Sequence, residues 1–218
     1  MSKGGYVGRA MPRLEDPRMV CGLGQYVDDL QPAGLLHAAI LRSPVAHALL
    51  KNVDVTNARA LAGVHAVFTA ADFPAGVPEI PLRMEPRPEL ARFVQPVLAR
   101  DKLRYVGEPI ALVVADRLAL AEEAVEAIIV AFDELPAIVD GNAAGATQTW
   151  LFEQHATNHA MTLSGVRGGV DDVFATAAYV REQRFSVQRH AAMPLEGRGV
   201  LAEDRKSTRL NSSHIPLS

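Results

Sequence analysis

The sequence that decides the fold is Tyr105-Val106-Gly107-Glu108-Pro109-Ile110-Ala111-Leu112-Val113-Val114-Ala115. Its second half, 110–115, is a continuous apolar run with the length of a β-strand. Strands of this composition are usually covered on both faces, because neither face carries the polar side chains that would be stable in water. The segment therefore predicts a fully covered strand.

An amphipathic helix and another strand follow directly. Asp116 is placed to cap the helix, and residues 129–133 form a strand that Leu135-Pro136 ends. Strand, helix and strand within about thirty residues predict a packed α+β unit, with the direction of strand pairing left open. The apolar residues of the helix recur at steps of three and four, opposite Glu122, Glu123 and Glu126, and are Leu118, Ala121, Val125 and Ile128.

Shorter elements precede this unit. Residues 35–41 form an apolar run of strand length, although periodicity alone leaves a helix open, and 49–55 and 64–68 read as two more strands. Between these two, Thr56 is placed to cap a short helix that runs to Leu61. Gly63 would then occupy the position after the helix where glycine is favoured.

The flanking segments predict less regular structure. Residues 1–20 are rich in Gly, Pro, Arg and Met and read as an extended arm, and 21–29 reads as a turn, a short strand and a turn. The proline-rich stretch 73–96 predicts a long surface loop, because proline removes a backbone donor. Loops of that length tend to be functional or to form interfaces.

The chain changes character after residue 140. Residues 140–150 contain few large apolar groups and mark a domain boundary. Beyond them, Asp171 or Asp172 could cap a short helix that ends at Ala178. Residues 179–189 alternate in polarity and predict one long strand of a second domain that the chain does not complete.

The last fifteen residues, 204–218, do not resemble natural protein sequence. Asp204-Arg205-Lys206-Ser207-Thr208-Arg209-Leu210-Asn211-Ser212-Ser213-His214 matches, codon for codon, the translation of a common short-read sequencing adapter. Segments of this kind are excluded before the fold is considered. We expect an unpacked, artefactual tail and a natural protein that is cut short after about Glu203. A natural Ser/Arg-rich tail is the alternative.

The composition sets limits on function. The apolar fraction is 49% and the net charge is −3, which gives no electrostatic case for binding nucleic acid or an anionic membrane. The sequence has no apolar run of transmembrane length and no apolar region near its start that would read as a signal peptide. A soluble cytoplasmic protein is expected, or one that travels with an exported partner. Cys21 is the only cysteine, so no disulfide can form within the chain.

Two candidate sites lie in the first fifty residues. Gly22-Leu23-Gly24 lacks the third glycine and the following helix that a dinucleotide-binding loop requires, so a glycine turn is expected. Ser43 and His47 have residue types found in nucleophilic catalysis. Pro44 favours a turn there instead of a strained nucleophile elbow, so a structural use is expected.

Three further candidates are weaker. His155 and His159 are four residues apart, which would place both rings on one helix face, but a metal site needs a third ligand and these read as loop histidines. Cys21 has no identified base beside it and is expected to be a spare thiol. Glu196 and Arg198 are expected to pair as charges at the end of a strand.

Several segments, in order and at matching spacing, resemble the N-terminal part of the large subunit of the xanthine dehydrogenase and aldehyde oxidase family. That family includes bacterial carbon monoxide dehydrogenase. A further segment, Arg189 to Gly199, resembles the family's M/L-E-P-R-G element, with Gly197 in place of the usual proline. The segments that carry the rest of the resemblance are Gly22 to Asp29, Leu36 to Ala48, Gly63 to Thr69, Tyr105 to Ala115, Glu134 to Asp140 and Gly169 to Ala178.

The resemblance implies an α+β fold, with an α/β-hammerhead domain followed by the incomplete start of a molybdopterin-binding domain. The implied boundaries are an arm at 1–20, the hammerhead at 21–140, a linker at 141–168 and the truncated domain at 169–203, before the tail at 204–218. The implied cofactor of the intact parent is molybdenum-molybdopterin, with a cytosine dinucleotide form possible. The implied partners are FAD-binding and 2Fe-2S subunits or domains, in a homo-oligomer of heterotrimers.

The family's pterin-binding loops, cofactor-contacting glutamine and catalytic glutamate follow the M/L-E-P-R-G element. The sequence therefore supplies no catalytic, cofactor-binding or metal-binding residue, and no bound cofactor is expected. The first hypothesis is an N-terminal part of a molybdenum hydroxylase, inactive alone, whose parent hydroxylates aldehydes or N-heterocycles with water or oxidises carbon monoxide. The alternatives are a non-catalytic domain that docks flavin or iron–sulfur subunits, and a small metal enzyme using His155 and His159.

Overall fold

A computed structural model describes residues 7–74, 77, 79–80, 87–187, 192–194 and 197–203. The chain forms two compact units. The larger comprises Leu35–Val180, and the smaller comprises Met1–Gly34 together with Arg181–Ser218. The tail predicted at 204–218 lies outside the described residues.

The first sheet of the larger unit has the fold-deciding segment at its centre. Its strands are β1 (His37–Arg42), β5 (Pro109–Ala115) and β3 (Val64–Thr69), in the order β1-β5-β3, with both pairs antiparallel. The buried side chains of β5 include Ile110, Ala111 and Val113. The prediction of a strand at 110–115 is confirmed, with a neighbouring strand on each side, but the expected cover on both faces was wrong, because Leu112 and Val114 are only half-buried.

Two helices cover one face of this sheet. They are α2 (Thr56–Ala60) and α3 (Leu118–Glu126), and α3 packs on both β1 and β5. The side chains that α3 buries are Leu120, Ala121 and Ala124, whereas Leu118 is 49% exposed. The predicted face was therefore wrong at Leu118, because two leucines two residues apart compete for the core and Leu120 faces it.

The second sheet has its own core. Its strands are β4 (Lys102–Leu103), β2 (Ala48–Asp54) and β6 (Ile129–Glu134), in the order β4-β2-β6 and antiparallel. Ala48, Ala99, Leu103 and Ile110 form the buried cluster beside it. β5 and β6 thus lie in different sheets, and α3 connects one sheet to the other instead of linking parallel neighbours. The α+β prediction is confirmed.

Side chains predicted as caps have other roles. Thr56 is the first residue of α2, and its backbone N–H donates to Asp54 Oδ1 over 2.9 Å. Asp116 does not cap α3, because its carboxylate accepts from His65 Nε2 over 2.6 Å. Both cap predictions were wrong. Thr56 already lies inside α2, and the carboxylate of Asp116 is engaged by His65 instead of the first turn of α3.

Gly63 does not end α2, because the C-cap of that helix is Leu61. The glycine is required for a different reason. Its φ is +89°, a left-handed conformation that side chains with a Cβ rarely adopt. A Cβ there would lie 2.8 Å from both Asp116 Oδ2 and Leu120 Cδ2. The glycine lets the chain before β3 approach the start of α3.

The proline-rich stretch is more ordered than predicted where it is described. Residues Pro88–Phe93 form a 3₁₀ helix, and Leu90 and Phe93 are buried. Ile80 pairs with Gln95 in an isolated antiparallel bridge. The prediction of a surface loop without regular structure was wrong for 88–95, because two large apolar side chains fix this segment to the domain.

The smaller unit contains a short helix, α1 (Asp16–Val20), within the predicted arm. Gly22 follows with a φ of +71°, so the glycine turn is confirmed. The strand predicted after it is absent, and Val27–Asp29 form a 3₁₀ helix instead. The carboxylate of Asp29 accepts from the Tyr26 backbone N–H over 2.8 Å, which favours a local turn over an extended strand.

The chain beyond β6 has little secondary structure. Its described residues form a 3₁₀ helix at Glu153–His155 and a short helix, α4 (Val170–Thr176). Gly169 precedes α4, so Asp171 and Asp172 lie in its first turn and not at the cap. The strand predicted from 179 was wrong for 179–187: those residues are exposed and have no neighbouring strand among the described residues. Within the described part of the chain, no helix is long and apolar enough to cross a membrane.

Candidate functional site

Four buried polar side chains lie around the second sheet. The buried residues with polar or charged side chains in the described part of the chain are each 4% exposed or less. They are Ser43, His47, Lys102 and Glu108. Buried charges and unpaired polar groups are costly, so each must have partners or a function. These four side chains, here named the buried polar group, form the first candidate for a site.

Ser43 makes a closed turn and offers no free nucleophile. Its Oγ donates to the Val45 carbonyl over 2.7 Å and accepts from the Val45 N–H over 3.2 Å. Its backbone N–H donates to the Glu108 carbonyl, and its carbonyl accepts from the Gly107 N–H. The serine therefore holds the loop after β1 against the turn before β5.

His47 is a structural histidine. The Pro136 carbonyl can only accept, so His47 Nδ1 carries the proton and donates to it over 2.8 Å. Nε2 is buried without a hydrogen-bond partner among the described atoms. The Ser43 hydroxyl is engaged with Val45, so the two residues do not form a nucleophile–base pair.

Glu108 is a buried carboxyl held by backbone. Its Oε2 accepts from the Arg104 N–H, while Oε1 is buried without a hydrogen-bond partner among the described atoms. Burial raises the pKa of Glu108 above its ordinary value of 4.5, against the lowering effect of the Arg104 backbone and charge.

Lys102 is buried by a distant loop. Its Nζ lies 2.7 Å from Glu153 Oε1, and its side chain is 5% exposed against 67% for Glu153. The hydrogen bond from Lys102, followed by its charge, lowers the pKa of Glu153 below 4.5. The lysine stem is thus buried in the domain while its charge is neutralised at the surface.

Aromatic contacts attach the same loop. Arg104 lies over the Phe152 ring, 4.8 Å from its centroid, and its Nε donates to the Leu151 carbonyl over 3.2 Å. Phe152 meets the Phe93 ring edge to face at 5.5 Å. Asn158 then ties the loop to itself by donating to the Thr149 carbonyl over 2.8 Å. Residues 149–158, predicted as linker, pack on the hammerhead part of the chain.

The structure separates the remaining predicted candidates. His155 ends a 3₁₀ helix and packs on the Phe93 ring at 5.8 Å, and Ala156 then turns left-handed at a φ of +47°. His159 Nε2 instead contacts Thr162 Oγ1 over 3.2 Å. The two histidines therefore do not share a helix face, and they read as loop histidines.

Cys21 is exposed. Glu196 lies outside the described residues, so its pairing with Arg198 stays a prediction. Arg198 lines a cavity of about 260 Å³ in the smaller unit, together with Tyr26, Val27, Asp28, Asp29, Gly197 and Gly199. Among the described residues, no three His, Cys, Asp or Glu side chains are grouped as metal ligands.

Sequence reasoning missed the burial of Lys102 and Glu108 and the partial burial of Arg104. No local pattern could reveal it, because the residues that cover Lys102 and Arg104 lie about fifty positions further along the chain. The buried polar group and its partners hold the loops in place. They contain no exposed nucleophile, base or set of metal ligands. Chemically, the buried polar group is a scaffold.

A protein-family model matches the part of the chain that forms both sheets. Residues 21–136 match the domain described as aldehyde oxidase and xanthine dehydrogenase, a/b hammerhead domain. The matched range contains both sheets, α2, α3 and the buried polar group.

Two curated relatives match over most of the chain. The nicotine 6-hydroxylase large subunit of Paenarthrobacter nicotinovorans is 34% identical over 90% of the chain and 24% of its own length. The carbon monoxide dehydrogenase large chain of Hydrogenophaga pseudoflava is 36% identical over 86% of the chain and 24% of its own length. The chain thus spans about a quarter of the length of these relatives.

Solved structures share the fold. Aldehyde oxidoreductase from Desulfovibrio gigas superposes with a TM-score of 0.58 at 34% identity, over 65% of this chain and 16% of the other. Reconstituted carbon monoxide dehydrogenase from Oligotropha carboxidovorans gives a TM-score of 0.55 at 39% identity, over 63% and 16%. The α/β-hammerhead architecture is therefore shared with both.

Proposed function

The chain belongs to the aldehyde oxidase and xanthine dehydrogenase family, and from this premise we propose that it forms the hammerhead part of a molybdenum hydroxylase large subunit. The match of residues 21–136 to the family's hammerhead domain carries the proposal. In this role the chain supplies scaffold and interfaces. The reaction of the whole protein would be hydroxylation of an aldehyde or N-heterocycle by water, or oxidation of carbon monoxide.

The relatives support the cofactor and the subunit role. One solved relative is a Cu,Mo-CO dehydrogenase, and one curated relative is the xanthine dehydrogenase molybdenum-binding subunit of Escherichia coli O157:H7. Another is subunit gamma of a dehydrogenase complex. We therefore propose a molybdenum-molybdopterin cofactor, a cytosine dinucleotide form among its candidates, and FAD-binding and 2Fe-2S partners in an oligomer of heterotrimers.

The described residues do not fit that cofactor themselves. They offer no metal ligand group, and the cavity of the smaller unit places the carboxylates of Asp28 and Asp29 beside the guanidinium of Arg198. We accordingly assign no catalytic, cofactor-binding or metal-binding residue to this chain and derive no reaction step in it. We propose that the 218 residues alone are inactive.

We also propose domain boundaries at 20, 140 and 168, a loss of natural sequence after about Glu203 and a cytoplasmic location. Reading the genomic DNA past the codon for Glu203 would test the truncation. A continuation with glycine-rich pterin loops would support it, and the same tail or a stop codon in clean sequence would refute it.

A non-catalytic docking domain is the second candidate. The exposed apolar side chains of the larger unit, such as Ile40 and Phe68 at 41% and 39%, favour a contact role. Stable binding of the isolated 218-residue chain to flavin or iron–sulfur subunits would favour this candidate. The first proposal instead expects binding only when the rest of a large subunit is present.

A chimeric large subunit tests the first proposal. Residues 1–203 would replace the matched N-terminal quarter of the Hydrogenophaga pseudoflava carbon monoxide dehydrogenase large chain, expressed with its partner subunits. We expect a complex that contains molybdenum by elemental analysis and oxidises carbon monoxide. A matched control with Leu103→Asp, which places a charge in the buried core, should lose assembly. A folded chimera without molybdenum would contradict the proposal.

A further inference from the structure

The two faces of the β1-β5-β3 sheet differ in what covers them. On the inner face, Ala39, Val113 and Val67 are aligned across the strands and pack in the core beneath α2 and α3. On the other face of these strands, among the described residues, Ala38, Ile40 and Phe68 are exposed and Ala66, Leu112 and Val114 are half-buried. This more exposed side is here named the outer face.

The outer face is apolar across its centre. Ile40, Leu112 and Phe68 are directly opposite one another in the register, so their side chains share one side of the sheet. Ala38, Val114 and Ala66 form the next row in the same way. No charged or polar side chain occurs in either row.

This composition is unusual for a face that meets water. Antiparallel sheets with one solvated face normally alternate apolar residues inward with polar residues outward. Here both faces are apolar, yet Ile40 is 41% exposed and Phe68 is 39% exposed, as is Leu36 just before β1 at 44%. An apolar face of this kind marks an interaction surface.

Charged groups bound the two rows along the strands. Arg42, at one end of β1, donates from Nη1 to the Gly107 carbonyl over 3.0 Å. At the opposite end, His65 and Asp116 pair over 2.6 Å. The apolar rows therefore form a limited patch with polar edges, as in the buried centre and polar rim of an interface.

The length of the relatives indicates what covers the patch. The chain spans 24% of the nicotine 6-hydroxylase large subunit and 24% of the carbon monoxide dehydrogenase large chain, so about three quarters of such a subunit lies outside it. A reversible partner subunit would meet a surface about as polar as the rest of the protein, whereas permanent contacts are more apolar. The two uncharged rows fit a permanent contact.

We infer that the outer face is the surface on which the remainder of the large subunit packs. The inference rests on the proposed function and deepens it by assigning the contact to Ile40, Phe68 and their row neighbours. A second copy of this chain and a separate partner subunit are the competing occupants.

Cysteine labelling measures whether the patch is covered. Cys21→Ser removes the single native thiol, and Ile40→Cys then places one thiol on the outer face. Ile129→Cys is the matched control, because Ile129 is a 59% exposed isoleucine on β6 of the other sheet. Each variant is alkylated in the 218-residue chain and in the chimeric large subunit, with the modified peptide quantified by mass spectrometry.

We expect position 40 to react as fast as position 129 in the 218-residue chain. In the chimera, without its partner subunits, position 40 should react at least about tenfold more slowly while position 129 is unchanged, since a covered site reacts only when it opens. Equal rates in a chimera that forms an active complex once its partner subunits are present would overturn the inference and leave the proposed function intact. An inactive, unassembled chimera would instead count against the proposed function.

The competing occupants give other patterns, and each would overturn the inference. If the protection of position 40 in the 218-residue chain increases with protein concentration, and size-exclusion chromatography shows a dimer, then the face is covered by a second copy. Protection that appears only after the flavin or iron–sulfur subunits are added to the chimera would assign it to a separate subunit.

Discussion

Strand β5 and the segment 179–187 were both predicted as strands, the first from a continuous apolar run and the second from alternating polarity, and they have opposite structures. Val113 in β5 is fully buried, whereas Phe185 is 80% exposed. β5 has β1 on one side and β3 on the other, and the described residues give 179–187 no neighbour. The comparison shows that alternation or apolarity proposes a strand, while hydrogen-bonding partners elsewhere in the chain decide whether it forms.

Limited trypsin digestion should show the largest difference between the two regions. Arg167 and Arg181 are exposed in segments without secondary structure, whereas Lys102 and Arg104 are covered by the loop at 149–158. We expect cleavage at the first pair to be on the order of 10³-fold faster, because the second pair requires opening of the folded domain. Equal cleavage rates, followed by mass spectrometry, would break the comparison.

Truncating a core leucine should produce the next largest effect. Leu103 is fully buried in the second sheet's core, and Leu163 is 63% exposed. Leu103→Ala should lower the free energy of unfolding by about 2–5 kcal/mol in urea titrations. Leu163→Ala is the matched control and should change it by less than about 0.5 kcal/mol. Similar losses in both variants would mean that the region beyond 158 is packed after all.

Glu108 should make part of the stability depend on pH. Burial raises its pKa in the folded chain above 4.5, so its stabilising contribution is present below 4.5 and is lost as the pH rises through the raised pKa. Glu108→Gln keeps an acceptor for the Arg104 N–H and removes the titration. The variant should therefore gain stability relative to the parent as the pH rises above 4.5.

The measurement for Glu108 is the difference in urea midpoint between variant and parent across a pH series. Hydrogen bonds lower the pKa values of Asp54 and Asp72, so these two carboxylates stabilise the fold less as the pH falls. Both are present in variant and parent, so taking the difference removes their contribution. A difference that stays constant from acid to neutral pH would show that Glu108 is ionised at an ordinary pKa.

The surface ion pair of the second sheet should give the smallest effect. Lys51 Nζ lies 3.0 Å from Asp133 Oδ2, and the two side chains are 52% and 67% exposed. Lys51→Ala should change the free energy of unfolding by less than about 1 kcal/mol, and the small loss should disappear at high salt. A loss as large as that of Leu103→Ala would show that the core does not dominate the stability of this domain.

Local patterns predicted most strands of the larger unit. The apolar runs near β1, β3 and β5 are each about as long as the observed strands, and the glycine turn at Gly22 was also correct. The family resemblance supplied the hammerhead fold and the expectation that this chain holds no active site. The fold was confirmed, and the second expectation remains a proposal.

Contacts between distant residues could not be predicted. The assignment of β5 and β6 to different sheets depends on partners that no local pattern encodes. The burial of Lys102 depends on Glu153, and the exposure of Leu118 depends on which of two leucines α3 turns toward the sheet. The predicted strand at 179–187 was wrong for the same reason, because a strand needs a neighbour.

Amide hydrogen exchange at 179–187 tests the central claim most directly. In the 218-residue chain we predict exchange of these amides close to the unprotected rate, while the amides of β5 are protected. In the chimeric large subunit we predict that 179–187 becomes protected as well, because the rest of the subunit supplies neighbours. Protection at 179–187 in the 218-residue chain, or its absence in an assembled chimera, would contradict the account.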